Sequence, residues 1–240
     1  MIIGAVFVSS KMPNSNKPFL TFLAIFIFMS FAIKAQGQAT VHPAKEVVLL
    51  KEEFDGPPLM ALPEYNYGDT AFASVRDGHY VLDSRNSRRF WALRLETPAG
   101  LTARPTVLEM KMKVSTDSSN AQYGILWHTT HPAPHIFNEY VFTVYASGAF
   151  IIYAKINDQP YPVITRTPCT CVNKGSGAYN TLRIEEGAKG HYRFFVNDQP
   201  VYEGDLLIPT INTFGFYSDA HTLLSVDYVK FATITDVGGQ

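Results

Sequence analysis

The chain is short of the features that would settle its class at once. Only two of its 240 residues are cysteine, so it is not a small scaffold built on disulfides. Charged side chains make up 17%, against about 25% in an average soluble domain. Aromatic residues reach 13%; a disordered chain has the opposite balance. Neither sign of charge dominates: 20 basic and 21 acidic residues leave −1, without the basic surplus that a phosphate backbone calls for. Nucleic acid is therefore not an expected partner. After residue 40 no window keeps a helical period, and no low-complexity linker or shift of composition marks a domain boundary.

What is present begins with one apolar run. Residues 19–33, FLTFLAIFIFMSFAI, carry no charge; Lys11 and Lys17 precede them, and Lys34, Ala35, Gln36 and Gly37 follow. The run falls short of the roughly 20 residues that span a bilayer. A basic start, a short apolar stretch and a small residue at its end are the pattern of an export signal. We therefore expect a signal peptide over 1–35, a short segment over 36–45 and one domain over 46–235. The protein is expected to be secreted or periplasmic, with no membrane contact after cleavage. Loss of 1–35 removes Lys11, Lys17 and Lys34 and no acid, so the basic count falls from 20 to 17 against 21 acidic residues, a net −4.

The remainder reads as short alternating runs separated by Gly, Pro, Asn and Asp. Strands are expected at 46–54, 78–83, 89–95, 106–114, 122–128, 139–146, 149–156, 161–166, 179–186, 190–196, 200–203, 211–217 and 222–232. Ser147-Gly148 and Asn197-Asp198 sit between such runs as hairpin turns. Many short strands at this spacing indicate an all-β sandwich or barrel.

Alternation also assigns faces. Tyr123, Ile125 and Trp127 share one face, as do Tyr140, Phe142 and Val144, and Phe150, Ile152 and Ala154; these are assigned to the core. Trp91, in step with Leu93 and Leu95, joins them. The opposite faces carry His128, Glu139, Thr143, Tyr145, Tyr153 and Lys155. Aromatic rings can stack on the C–H faces of sugars, and neighbouring donors and acceptors can fix hydroxyls. These six are the candidate ligand-binding residues, with Tyr145 and Tyr153 stacking. Arg88, Arg89 and Arg94 read as solvated edge residues. Cys169-Thr-Cys171 reads as a turn of small residues, with a bridge between the two thiols as the alternative. The segment WHTTHPAPHIFNEY reads as a polar lid loop. Its His128, His131, His135 and Glu139 leave zinc as an alternative, off any helical spacing because of Pro132 and Pro134.

The runs Tyr123-Gly124-Ile125-Leu126-Trp127-His128 and Tyr140-Val141-Phe142-Thr143-Val144, followed by Gly148-Ala149-Phe150, resemble the central hairpins of the concanavalin A-like lectin/glucanase superfamily. Asn180-Thr181-Leu182-Arg183-Ile184, then Phe194-Phe195-Val196-Asn197, is similar to a pattern in its laminin-G-like and bacterial exported members. Phe214-Gly215-Phe216-Tyr217-Ser218 and Val226-Asp227-Tyr228-Val229 resemble their C-terminal strands. The resemblance implies a jelly-roll sandwich of two curved antiparallel sheets whose concave face binds carbohydrate. It also makes Asp227 the one candidate for a structural calcium; no other cofactor is implied.

The glucanase branch carries carboxylates in a pattern like E-x-D-x-x-E on one strand, and retaining chemistry needs two carboxyls about 5–5.5 Å apart. That pattern is absent here: Glu185 and Glu186 are adjacent and point to opposite faces, and Glu52, Glu53 and Asp55 fall at the domain's start. The 3-keto-glycoside hydrolase-like domains share the Gly-Ile-aromatic strand, but His128 stands in place of their arginine and EYVFTVY in place of their acidic–Gln strand. The expected function is therefore an exported, lectin-like, non-catalytic carbohydrate-binding protein. Two alternatives stay open: a hydrolase or lyase using Glu139, His128 and Tyr145 in the same cleft, and a cell-envelope module that binds protein.

Overall fold

The computed structural model describes residues 45–68, 70–87, 90–101, 103–133, 136–157, 159–206 and 211–235. The expected export segment, all of 36–45 except Lys45, and Arg88, Arg89 and His135 lie outside the described residues.

The strands, in chain order, are β1 (Lys45–Glu52), β2 (Tyr65–Asn66), β3 (Phe72–Arg76), β4 (His79–Asp83), β5 (Trp91–Glu96), β6 (Val107–Ser115), β7 (Gln122–Ala133), β8 (Ile136–Tyr145), β9 (Ala149–Ile156), β10 (Gln159–Pro168), β11 (Tyr179–Glu186), β12 (His191–Val196), β13 (Gln199–Asp205), β14 (Thr213–Ser218) and β15 (Leu223–Thr235). A 3₁₀ turn at Ala188–Gly190 is the sole helical element among the described residues. Every expected strand is there. The short β2 and β3 were not expected, because two and five residues carry too little alternation to register.

The strands form two antiparallel sheets. One has nine strands in the order β13-β12-β11-β6-β15-β4-β3-β2, with β1 also paired to β15; the other has six, β10-β9-β8-β7-β14-β5. Strand β15 serves two partners on the same side, β4 along Leu223–Val226 and β1 from Val229 onward. The bulge between Val226 and Tyr228, where Asp227 sits, separates the two pairings. This is the expected jelly-roll sandwich.

The core lies between the sheets, where the alternation placed it. Tyr123, Ile125, Trp127, Phe142, Val144 and Ile152 of the six-stranded sheet are buried against Tyr80, Leu108, Met110, Leu182 and Phe194 of the other. Ring pairs bridge the two layers: Tyr80–Phe216 at 5.4 Å, Trp127–Phe194 at 5.5 Å, Phe142–Phe194 at 5.3 Å and Phe214–Phe231 at 5.1 Å. Two tight turns carry left-handed residues, Asp77-Gly78 and Asn197-Asp198. That is the backbone a two-residue hairpin of right-twisted strands needs.

Cys169 and Cys171 are bridged to each other, with their Cα atoms 5.1 Å apart. The segment read as a lid loop is instead the end of a long hairpin, since β7 runs to Ala133 and β8 starts at Ile136. Register shifts after Trp127 and after Thr130 accommodate it, as bulges must where proline interrupts a ladder.

Candidate functional site

The two outward faces of the sandwich differ in kind. On the nine-stranded sheet one part of the outward face is a ladder of ion pairs, and another is a hollow of about 380 Å³ lined by Phe72, His79, Val81, Lys113 and Leu223. Arg183 reaches Glu46 at 2.6 Å, Glu109 at 3.0 Å and Glu185 at 2.6 Å, and Lys230 reaches Glu46 at 3.0 Å and Glu109 at 2.9 Å. Burial works against the Glu109 charge, but Lys230, Tyr228 and Arg183 outweigh it and hold the carboxyl below its ordinary value. Tyr179 lies beside Lys111 and Lys113 and bonds His79 at 2.8 Å.

The outward face of the six-stranded sheet carries tyrosines instead. Tyr153 on β9 and Tyr217 on β14 are separated by β8 and β7, three strand spacings or about 14 Å. The register sets Tyr153 beside Val141, then Leu126 and Gly215; it sets Tyr217 beside Gly124, then Thr143 and Ile151. Both side chains nevertheless line one pocket, so they lean toward each other across the strands between them. Gly124 makes room: a Cβ there would overlap the carbonyl oxygen of Phe142 and the Cα of Thr143. Val141, Leu126 and Thr143 are consequently buried although they face away from the core.

A chain of hydrogen bonds fixes this arrangement. Tyr217 donates to Asp219 Oδ1 at 3.1 Å, and the Gln122 backbone N–H donates to Asp219 Oδ2 at 2.7 Å. The Gln122 side chain donates to the Tyr145 hydroxyl at 2.9 Å and accepts from Thr143 at 3.3 Å. Burial pushes the Asp219 carboxyl up, with its two hydrogen bonds working the other way. Burial, reinforced by the Asp219 charge, also pushes Tyr217 up, and burial followed by the Glu139 charge does the same for Tyr153. Both phenols thus stay protonated at neutral pH, as donors and not as bases.

Beside the tyrosines lies Glu139, buried on β8. Arg94 of β5 takes both its oxygens, Nε to Oε2 at 2.6 Å and Nη2 to Oε1 at 2.8 Å. Lys155 stands 3.6 Å from Oε1. Gly215, the register neighbour of Arg94 on β14, puts no side chain in the path of the guanidinium. Phe90 stacks on Tyr217 at 5.6 Å and 19°. Together Phe90, Glu139, Tyr153, Lys155, Pro160 and Tyr217 line a pocket of about 210 Å³. A wider hollow of about 670 Å³ lies along Gly68, Phe72 and Asp83–Arg85, where the Asp83 and Arg85 charges are spent on each other at 2.5 Å.

Of the six candidate residues, the structure brings Glu139, Tyr153 and Lys155 together on this pocket. Thr143 and Tyr145 lie buried beneath the surface, bonded to Gln122. His128 sits in a left-handed conformation at the first register shift, where alternation fails, and its Nδ1 lies 3.2 Å from Asn212 Oδ1. Arg94 is not the solvated edge residue expected but a half-buried partner of a buried carboxylate. Arg94, Tyr217, Phe90 and Asp219 escaped the sequence reading. The one signal available was that Tyr217 alternates with the core residue Phe216.

Calcium wants six to eight oxygens, and Asp227, its one candidate ligand, is engaged by a cation of the chain itself. Its carboxylate takes the Lys111 ammonium at 2.8 Å and faces His79 at 3.6 Å. Among the described residues no group of three or more His, Cys, Asp or Glu is placed to hold a metal ion. No helix among them is long and apolar enough to cross a membrane.

No protein-family profile matches the chain, and no curated protein sequence does. Solved structures do match in shape. One is the catalytic domain of an endo-1,3-β-glucanase (laminarinase) from Thermotoga petrophila RKU-1, with TM-score 0.50, 12% identity, and coverage of 80% of this chain and 99% of that one. Another is a GlcNAcα1-4Gal-releasing endo-β-galactosidase from Clostridium perfringens, with TM-score 0.54, 13% identity, and coverage of 83% of this chain and 65% of that one. At such identity the likeness establishes the fold alone, a jelly-roll sandwich of two antiparallel sheets.

Proposed function

We propose that the chain is an exported carbohydrate-binding protein that holds its ligand in the tyrosine pocket of the six-stranded sheet and does not cleave it. One observation carries the reading. The outward face of the six-stranded sheet brings an exposed ring stacked on a phenol, a second phenol donor, a lysine and a carboxylate onto one pocket. That mixture matches a sugar, which has apolar C–H faces and a rim of hydroxyls. The two solved structures of like fold are named for acting on glycans, which agrees with a sugar ligand. The non-catalytic part rests on chemistry: Arg94 takes both oxygens of Glu139, and the E-x-D-x-x-E pattern is absent.

The pocket is small for a complete ligand. At roughly 0.3 kcal/mol per non-hydrogen atom, a sugar unit of about a dozen atoms gains roughly 4 kcal/mol, a millimolar affinity. Useful affinity therefore needs a chain that extends across the sheet.

A glycan array combined with mass spectrometry of the same glycans tests the proposal. The purified protein is expected to retain at least one polysaccharide, to release no fragments from it, and to lose at least about tenfold in affinity on Tyr153→Ala. Fragments that vanish with Glu139→Gln would replace this reading by a hydrolase or lyase. Retention of envelope proteins that competing sugars do not displace, with no glycan retained, would replace it by a protein-interaction module.

A further inference from the structure

We propose that the site continues past the edge of the six-stranded sheet onto a second aromatic platform, Tyr65, Tyr67 and Trp91, which grips a glycan chain beyond the pocket. This rests on the glycan reading above and extends it to a second contact surface.

Among the described residues the strongly exposed aromatic side chains are Tyr65, Tyr67, Phe90 and Tyr161. They are not scattered. Phe90, 53% exposed, is a wall of the pocket, and Tyr161 follows Pro160, another wall. Tyr65 and Tyr67 stack on each other at 6.2 Å and 9°. Both rest against Trp91, at 6.4 and 5.9 Å, and Trp91 is the residue after Phe90. Strand β5, which starts at Trp91, is the outer strand of its sheet, and β2, which carries Tyr65, is the outer strand of the other. The platform therefore stands at sheet edges, on the residue that follows Phe90 in the chain.

The platform is also held in place before any ligand arrives. Trp91 packs against the core. The turn beyond β2 is closed by Tyr67 N–H to the Ala71 carbonyl at 2.9 Å and by Gly68 N–H to Asn66 Oδ1 at 2.9 Å. Tyr67 remains 63% exposed despite this fixed backbone. Rings presented rigidly lose little entropy on binding, and tyrosine rings with hydroxyls at their rim suit a hydroxylated chain better than a lipid tail.

The test uses the polysaccharide best retained on the array and a trisaccharide of its repeat. The intact protein is compared with Tyr65→Ala/Tyr67→Ala, both exposed positions, with thermal melts confirming the fold. Affinity for the polysaccharide is expected to fall about fivefold or more, while trisaccharide affinity stays within twofold. Trp127 is fully buried and Trp91 is not, so acrylamide quenching of tryptophan emission reads Trp91. The polysaccharide is expected to protect it and the trisaccharide is not. Unchanged polysaccharide affinity in the double variant, or equal losses for both ligands, overturns the second surface while the pocket stands. Absence of any glycan binding by the unmodified protein overturns the pocket itself, and the extension with it.

Discussion

Glu139 points away from the core yet is buried, and Arg94 is what makes that tolerable. A buried carboxylate stripped of its cation costs about 3 kcal/mol, so Arg94→Ala is expected to lower the unfolding free energy in urea by about that amount. It should also weaken glycan binding, because the pocket wall loses its anchor. Arg94→Lys, which cannot reproduce the two-pronged contact, should recover only part of either. A loss below 0.5 kcal/mol, measured by the same titration, would show that Lys155 alone suffices. Gly124 makes a second residue-scale case. Any Cβ there meets the backbone of β8, so Gly124→Ala is expected to cost roughly 1–3 kcal/mol and to push apart the tyrosines above it. Alternation made Glu139 and Tyr153 legible as outward residues. It did not show Arg94 reaching across β14 and β7, because that pairing joins residues 45 positions apart and depends on which strands are neighbours. It also misled at His128, where a left-handed residue and a register shift break the period of two.

At the scale of elements, the nine-stranded sheet carries one pH-sensitive part of stability. Glu109 titrates below its ordinary 4.5 in the folded chain. Its contribution is therefore fully present above that pH and is lost as the pH falls through the folded value. Glu109→Gln is expected to cost about 2 kcal/mol at pH 7, and the gap in Tm between variant and parent should close as the pH drops below 4.5. A gap that is constant from pH 7 to pH 3 would contradict this account of the ladder. The strands themselves were readable because β6, β9 and β11 alternate strongly. Strands β2 and β3 were not, since β3 exists through pairing with β4 and β2 through pairing with β3, not through any pattern of their own. The β7–β8 hairpin reads as a loop in one dimension because Pro132 looks like a breaker, and only the register shows how bulges accommodate it.

The whole molecule presents two unlike outward surfaces on one sandwich. The fold was legible because its core is a matter of local alternation, repeated strand after strand. The make-up of each face was not, because it depends on which distant side chains meet: Arg183 and Lys230 with acids on one sheet, Arg94 with Glu139 and Phe90 with Tyr217 on the other. The most direct measurement is calorimetric titration of the best-retained polysaccharide into Tyr153→Ala and, as the opposite-face counterpart, Tyr179→Ala. The account predicts at least about a tenfold loss for Tyr153→Ala, with affinity within twofold of the parent for Tyr179→Ala. Unchanged binding by Tyr153→Ala together with loss in Tyr179→Ala would place the ligand on the nine-stranded sheet and contradict the account.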